Sequence, residues 1–370
     1  FYKMKKKYLF LLIFSVVINQ LYAQIVINEF SAANYESHMD NYGEYEDWIE
    51  LYNTTNSDID LNGWFLSDKL SNPTKWQFSS TFIISANSVA IIYCSGNDEV
   101  LGGFAHTSFK ITQTKGNEVF ILSDASSNII DSVTVTPNLK SHSRGRDLNG
   151  GSSWSVFTTP TPNTNNVGAM LDYAPTPIFS QLPGYYSGPI SLTITSLDPN
   201  AIIYYTTDGF APSSNSNLYS GPINIASTSV VKAIAYSTNS SVPNSFIEYN
   251  TYFINDNHTI PILSVSGDSV AVLIEDGVRT LGGWNGPAHE PQGTIEWFDK
   301  NGGIIDKGSG EFNKHGNDSW AYDQRGFDYV MRDQFGYNYA LQDKLFETKN
   351  RDKFQKVIVK AAANDNYPAS

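Results

Sequence analysis

Residues 229–236, SVVKAIAY, set Val231, Ala233 and Ala235 against Lys232, Ile234 and Tyr236 in strict alternation. A period of two is that of an extended strand with one face turned to a core. The pattern continues outward through LTITS (192–196), AIIYYTTDG (201–209) and EYNTYFI (248–254), each bounded by turn residues. Residues 175–254 are therefore expected to form a small β-sandwich. Upstream, residues 24–163 carry IVINEF, DWIELYN, GWFLSD, SVAIIYCS, NEVFILSD and IIDSVTV between Asn, Gly, Ser and Pro clusters, and no comparable window holds a helical period. That segment reads as a first, larger β-sandwich closed by TTPTPNTNN (158–166), with 164–174 as linker.

The texture changes after Thr259. Strands are expected at IPILSVS, GTIEWFD, RGFDYVMRD and KVIVKAA, the last with the apolar character of a central strand. One helix is expected in YALQDKLFE, where Leu341 and Leu345 fall four apart. Residues 259–370 thus read as an α+β unit without a closing element.

Composition narrows the function. From Met4 the chain runs MKKKYLFLLIFSVVINQLYAQ, a basic start, an apolar stretch and small residues before Gln24, so residues 4–23 read as a secretory signal cleaved after Ala23. Its core is shorter than the roughly 20 residues of a spanning helix, so no stable membrane span is expected once it is removed. Cleavage takes Lys3, Lys5, Lys6 and Lys7 with it and leaves 20 basic residues against 37 acidic ones. So acidic a chain excludes nucleic acid as a partner. The single cysteine, Cys94, forms no intramolecular disulfide, and its apolar setting buries the thiol.

Asp40, Glu44, Glu46 and Asp47 in DNYGEYEDWIE could offer oxygens to Ca²⁺, without the spacing of an EF-hand loop. Tyr185 and Tyr186 could stack on sugar rings. HEPQG (289–293) lacks the second histidine of a zinc protease, and Gly308 and Gly310 lack the GK[ST] of a phosphate loop.

Three resemblances follow. IVINEF (25–30), DWIELYN (47–53), LNGWFLSD (61–68) and PTPNTNN (160–166) resemble the lamin tail domain, which implies an immunoglobulin-like fold and adhesion, spacing or recognition. In it Trp48 and Trp64 would anchor the core, and Asn28, Asn53 and Asp68 would cap strand ends or turns. AIIYYTTDGFAPSSNSNLYSGPI and VVKAIAY resemble the C-terminal domain of chitobiase and β-hexosaminidase enzymes, an accessory without their active site; Asp208 and Gly209 would turn a hairpin, and Tyr219 would pack or bond across the sandwich.

KHGNDSWAYDQRGFDYVMRDQFG (314–336), with the flanking strands, resembles the start of the CotH kinase family. This implies a mainly β chain of two immunoglobulin-like sandwiches followed by an incomplete α+β kinase-like N-lobe over 259–370. Lys314 and Arg325 would contact phosphate, although the family's lysine pair is missing here. ATP and Mg²⁺ would belong to the full-length parent, whose catalytic acids would come later, so this chain is expected not to turn over. The alternative is a noncatalytic surface adhesin or carbohydrate-binding protein, secreted or held at the cell surface, with a surface protein or glycan as partner.

Overall fold

The computed structural model describes residues 24–116, 118–270, 291–315, 326–336, 338–346 and 348–360. These residues are mainly β. In the first unit a seven-stranded sheet runs in the order Trp154–Phe157, Ser143–Arg146, Ile25–Ser31, Trp48–Asn53, Val89–Tyr93, Phe104–His106, Glu99–Leu101. It faces a four-stranded sheet of Ile129–Thr134, Val119–Ser123, Phe65–Ser67 and Trp76–Gln77. The core between them includes Ile27, Phe30, Ile49, Leu51, Phe78, Ile92 and Phe120, with Trp64 packed at its margin. Cys94 is buried in that core, as its sequence setting requires.

The second unit opposes a five-stranded sheet, Gly184–Tyr186, Glu248–Ile254, Ser229–Tyr236, Ile202–Thr206 and Asn217–Leu218, to two short two-stranded sheets. Val231, Ala233 and Ala235 face the core. Tyr219 bonds across the sandwich, its hydroxyl accepting the Ile194 N–H at 3.1 Å. Asp208 and Gly209 open the loop of the hairpin that pairs Ile202–Thr206 with Asn217–Leu218; the Asp208 carboxylate accepts the Phe210 N–H at 3.0 Å and Gly209 sits at φ +79.

The third unit corrects the α+β, kinase-like expectation. Its described part is an antiparallel sheet ordered Ile262–Ser266, Gln292–Phe298, Ile304–His315, Gly326–Met331, Lys356–Val359. Among the described residues of YALQDKLFE there is no helix: Leu341–Gln342 pairs with Lys353–Phe354 as a small ribbon. Leu341 is buried and Gln342 exposed, so tertiary pairing wins over the four-residue leucine spacing. Strand Lys356–Val359 lies at the edge of the sheet, not at its centre, with Ile358 54% exposed.

The third sheet also covers the outer face of the second sandwich. Thr251, Phe253 and Lys232, on the side away from the sandwich core, are buried beneath Glu296 and Phe298, and the Phe253 and Phe298 rings meet edge to face at 5.1 Å. The middle of the SVVKAIAY face turned away from the sandwich core therefore does not meet water. Lys232 and Ile234 are 3% and 5% exposed.

Candidate functional site

Where the third sheet meets the first sandwich, a cleft of about 720 Å³ opens between loops 34–47, 68–75 and 108–115 on one side and Glu311, Arg332–Gln334 and Gln355 on the other. Short turns position the loops. Asp40 Oδ1 accepts the backbone N–H groups of Tyr42 and Glu44 at 2.8 and 2.9 Å, and Asn34 Nδ2 donates to the carbonyls of His38 and Glu46 at 2.6 and 2.8 Å. Such side-chain bonds fix a loop that has no ladder of its own.

The walls are ion-paired. Lys75 reaches both carboxylate oxygens of Asp68 at 2.6 and 2.8 Å, and Lys110 both oxygens of Glu46 at 3.0 and 2.9 Å. Arg332 Nε donates to Glu311 at 2.9 Å, while the Tyr35 hydroxyl donates to the other Glu311 oxygen at 3.1 Å. The floor is acidic. Burial pushes the Asp47 carboxyl well above its ordinary value, and the nearby charge of Asp333 adds to the effect. Burial also raises Asp333 to about 6 and Glu118 to about 7, against hydrogen bonds that lower both. Two bonds close the joint at the base of the cleft: Gln113 Nε2 donates to the Asp333 carbonyl at 2.6 Å, and the Thr114 N–H to its carboxylate at 3.4 Å.

The joint with the second sandwich is polar as well. Glu296, 2% exposed, accepts the Thr251 N–H at 3.0 Å and the Thr251 hydroxyl. Lys307 binds the Glu248 carboxylate, the Tyr249 carbonyl at 3.0 Å and Asn250 Oδ1 at 3.4 Å, and lies over the Tyr249 ring. Lys232 is lowered to about 8 by burial, although Asp268, Glu296 and Asp208 favour its charged form. With two polar joints the third sheet is docked on both sandwiches.

The four carboxylates considered for Ca²⁺ do not converge. Asp40 is held by its own loop, Glu46 by Lys110, Asp47 accepts the Asn34 N–H at 3.0 Å, and Glu44 lines the cleft. Among the described residues no group of three or more His, Cys, Asp and Glu side chains is placed to hold a metal ion. Lys314 lies opposite Phe327 in the third sheet, but its side chain, like the whole of Arg325, lies outside the described residues, as does the 4–23 segment. Tyr185 and Tyr186 are not free plates for sugar. Tyr185 packs on Phe253 at 5.2 Å and on Gly302, where a Cβ would come within 2.3 Å of its ring; Tyr186 packs on Tyr252 and donates its hydroxyl to the Leu182 carbonyl at 2.7 Å.

The motifs of the first sandwich have a structural explanation. A bulge at Asn28 breaks the register between Ile27 and Glu29, and the segment 159–166 straps over the outer face of the sheet there. Glu29, fully buried, accepts Ser143 Oγ at 2.5 Å, Thr161 Oγ1 at 2.6 Å and the Thr161 N–H at 3.0 Å. Glu50 accepts Asn28 Nδ2 at 3.0 Å and the Asn163 N–H at 2.7 Å. Burial raises Glu50 to about 8, with the charge of Glu29 contributing. Asn53 caps the next turn, accepting the Thr55 N–H at 2.9 Å, whereas Asp68 pairs with Lys75. NEF, WIELYN and PTPNTNN are thus parts of one buried network.

Comparison with known families agrees with two of the three resemblances. Residues 19–137 match the Lamin Tail Domain, and residues 181–263 match the Chitobiase/beta-hexosaminidase C-terminal domain. The resemblance of 259–370 to the CotH family has no counterpart among these matches. No curated protein matches the chain.

Proposed function

We propose that the chain is a noncatalytic recognition protein of the cell surface or the secreted medium, whose ligand lies in the cleft between the first sandwich and the third sheet. The composite nature of that cleft carries the reading. Arg332, Glu311 and Asp333 come from the third sheet and its following turn, the facing Tyr35, Glu46 and Lys110 from the first sandwich, and the Gln113–Asp333 joint holds the two sides together. A preorganised polar cleft between rigid bodies is a common place for a binding site. The two matched domain types fit a noncatalytic or surface role, and among the described residues no helix is long and apolar enough to cross a membrane. Secretion rests on the sequence of residues 4–23 alone.

Phosphate transfer from ATP by a longer parent is the second reading, and it rests on the 314–336 resemblance. Three of the cations on the described cleft wall are already paired, Arg332 with Glu311, Lys110 with Glu46 and Lys75 with Asp68, which favours recognition over phosphate binding. The test is an array of surface proteins and glycans probed with the purified chain, alongside calorimetry with ATP and Mg²⁺. The recognition reading requires an array ligand whose affinity drops about tenfold or more in Arg332→Ala. Transfer of phosphate from ATP, with no such ligand on the array, would overturn it.

A further inference from the structure

An exposed aromatic ring is held in place in the loop whose next residues, Glu44 and Tyr45, line the cleft. Tyr42 is 54% exposed, yet three of its groups are fixed. Its backbone N–H donates to Asp40 at 2.8 Å, its hydroxyl donates to Glu99 Oε1 at 2.6 Å, and its ring lies 5.3 Å from the His106 ring. His106 is itself immobilised. It is fully buried, its Nδ1 is 3.0 Å from Ser95 Oγ, and its Nε2 is 2.7 Å from Asn41 Oδ1. The column continues inward, with His106 stacked on Tyr93 at 5.1 Å and Tyr93 on His38 at 6.0 Å.

Scattered exposed aromatics are ordinary on a protein surface, but they are seldom tethered at backbone, ring and hydroxyl together. A large apolar plate that is already ordered loses little entropy on binding a flat partner. Tyr45, 39% exposed and three residues further along the same loop, lines the cleft together with Glu44. Carboxylates border the plate: among the described residues Glu99 Oε2 has no protein donor, so it can accept a hydroxyl hydrogen, and Glu44 stands at the cleft edge. Their negative charge disfavours an acidic ligand.

We propose that Tyr42 is the stacking platform of a glycan site, on which a neutral or amino-bearing oligosaccharide lies with its chain running past Tyr45 into the cleft. The proposal rests on the recognition reading above and assigns its ligand class. A pyranose ring offers an apolar face to Tyr42, while its equatorial hydroxyls reach the bordering carboxylates.

The test is calorimetric titration of the full chain with hexamers of glucose, N-acetylglucosamine and glucosamine, and with oligogalacturonate as the acidic control. At least one of the first three should bind, oligogalacturonate should not, Tyr42→Ala should weaken binding about tenfold or more, and Tyr42→Phe should stay within about threefold because the plate survives. Circular dichroism confirms that the exposed substitutions leave the fold intact. Silence of all three hexamers at millimolar concentration, preferential binding of oligogalacturonate, or equal binding by wild type and Tyr42→Ala each overturns the proposal. If the hexamers are silent while a surface protein on the array still binds in an Arg332-dependent way, the glycan assignment fails and the recognition reading stands.

Discussion

Thr251 and Glu296 hold the second sandwich to the third sheet through two hydrogen bonds to one carboxyl group, from the Thr251 N–H at 3.0 Å and from its hydroxyl. Burial raises the Glu296 carboxyl to about 7, so near neutral pH the proton is shared between bound and free states. Glu296→Ala leaves the Thr251 N–H without its acceptor and the Thr251 hydroxyl with Ser264 Oγ at 2.8 Å as its partner, and should cost about 1–3 kcal/mol. Glu296→Gln retains a carbonyl acceptor and should cost less. Because the folded value lies above the unfolded 4.5, the stabilising protonation is complete below pH 4.5 and is lost as pH rises through 7. Asp333 and Glu118, raised to about 6 and about 7, act in the same direction. Calorimetric melting from pH 5 to pH 8 should show stability falling across that window, with a shallower fall in Glu296→Gln. A profile that rises with pH would contradict the assignment.

Lys232 should show the opposite sign. Its folded value, about 8, lies below the ordinary 10.5, so the buried ammonium costs stability that builds as pH falls from 10.5 to about 8 and is complete below it. Lys232→Met keeps the length of the side chain without the charge. It should stabilise the protein more at pH 6 than at pH 9, by about 1–2 kcal/mol at the lower value. The difference between the two unfolding free energies in urea measures the effect, and a gain independent of pH would assign it to packing.

Much of this architecture is legible in alternation, and the exceptions have one physical origin. Val231, Ala233 and Ala235 declare a core face, but nothing local tells whether Lys232 and Thr251 on the other face meet water or a third layer. Glu29 and Glu50 look like surface acids in their strands, although the 159–166 strap buries both. In each case the burial is imposed by a segment distant in sequence. The same holds for the cleft: Asp333 was visible within MRDQ, yet its partner Gln113 lies 220 residues away. Leu341 and Leu345 misled for a related reason, since the pairing of Leu341 with Phe354 is tertiary and overrides a local spacing. Tyr42, by contrast, sits in a turn rich in Asn, Asp and Gly, where an aromatic residue is itself a signal of exposure.

The strap over the first sandwich should depend on Thr161. Thr161→Val keeps the shape and the backbone donor but removes the 2.6 Å hydroxyl bond to Glu29, which is fully buried. One bond to a buried carboxyl that retains Ser143 and the Thr161 N–H should be worth about 1–3 kcal/mol. Denaturant unfolding followed by tryptophan fluorescence reports it, because Trp154 packs at the margin of that core. The same substitution at Thr164, whose hydroxyl among the described residues bonds the Thr161 carbonyl alone, at 3.0 Å, should have less effect.

Gln113 should govern whether the cleft stays assembled. Its side chain bridges two elements: Oε1 accepts the Asn138 N–H at 2.9 Å within the first sandwich, while Nε2 donates to the Asn138 carbonyl at 3.1 Å and to the Asp333 carbonyl at 2.6 Å. Gln113→Ala therefore removes one bond across the joint and two that orient the loop carrying it. The sandwich core does not include Gln113, so global unfolding should change by no more than about 1–2 kcal/mol. The local consequence should be larger. Amide exchange in 333–336 and 112–115 should accelerate about tenfold while that of strand Trp48–Asn53 stays unchanged. Uniform acceleration would mean that the joint and the sandwich open together, and the cleft would then be as stable as the domain that bears it.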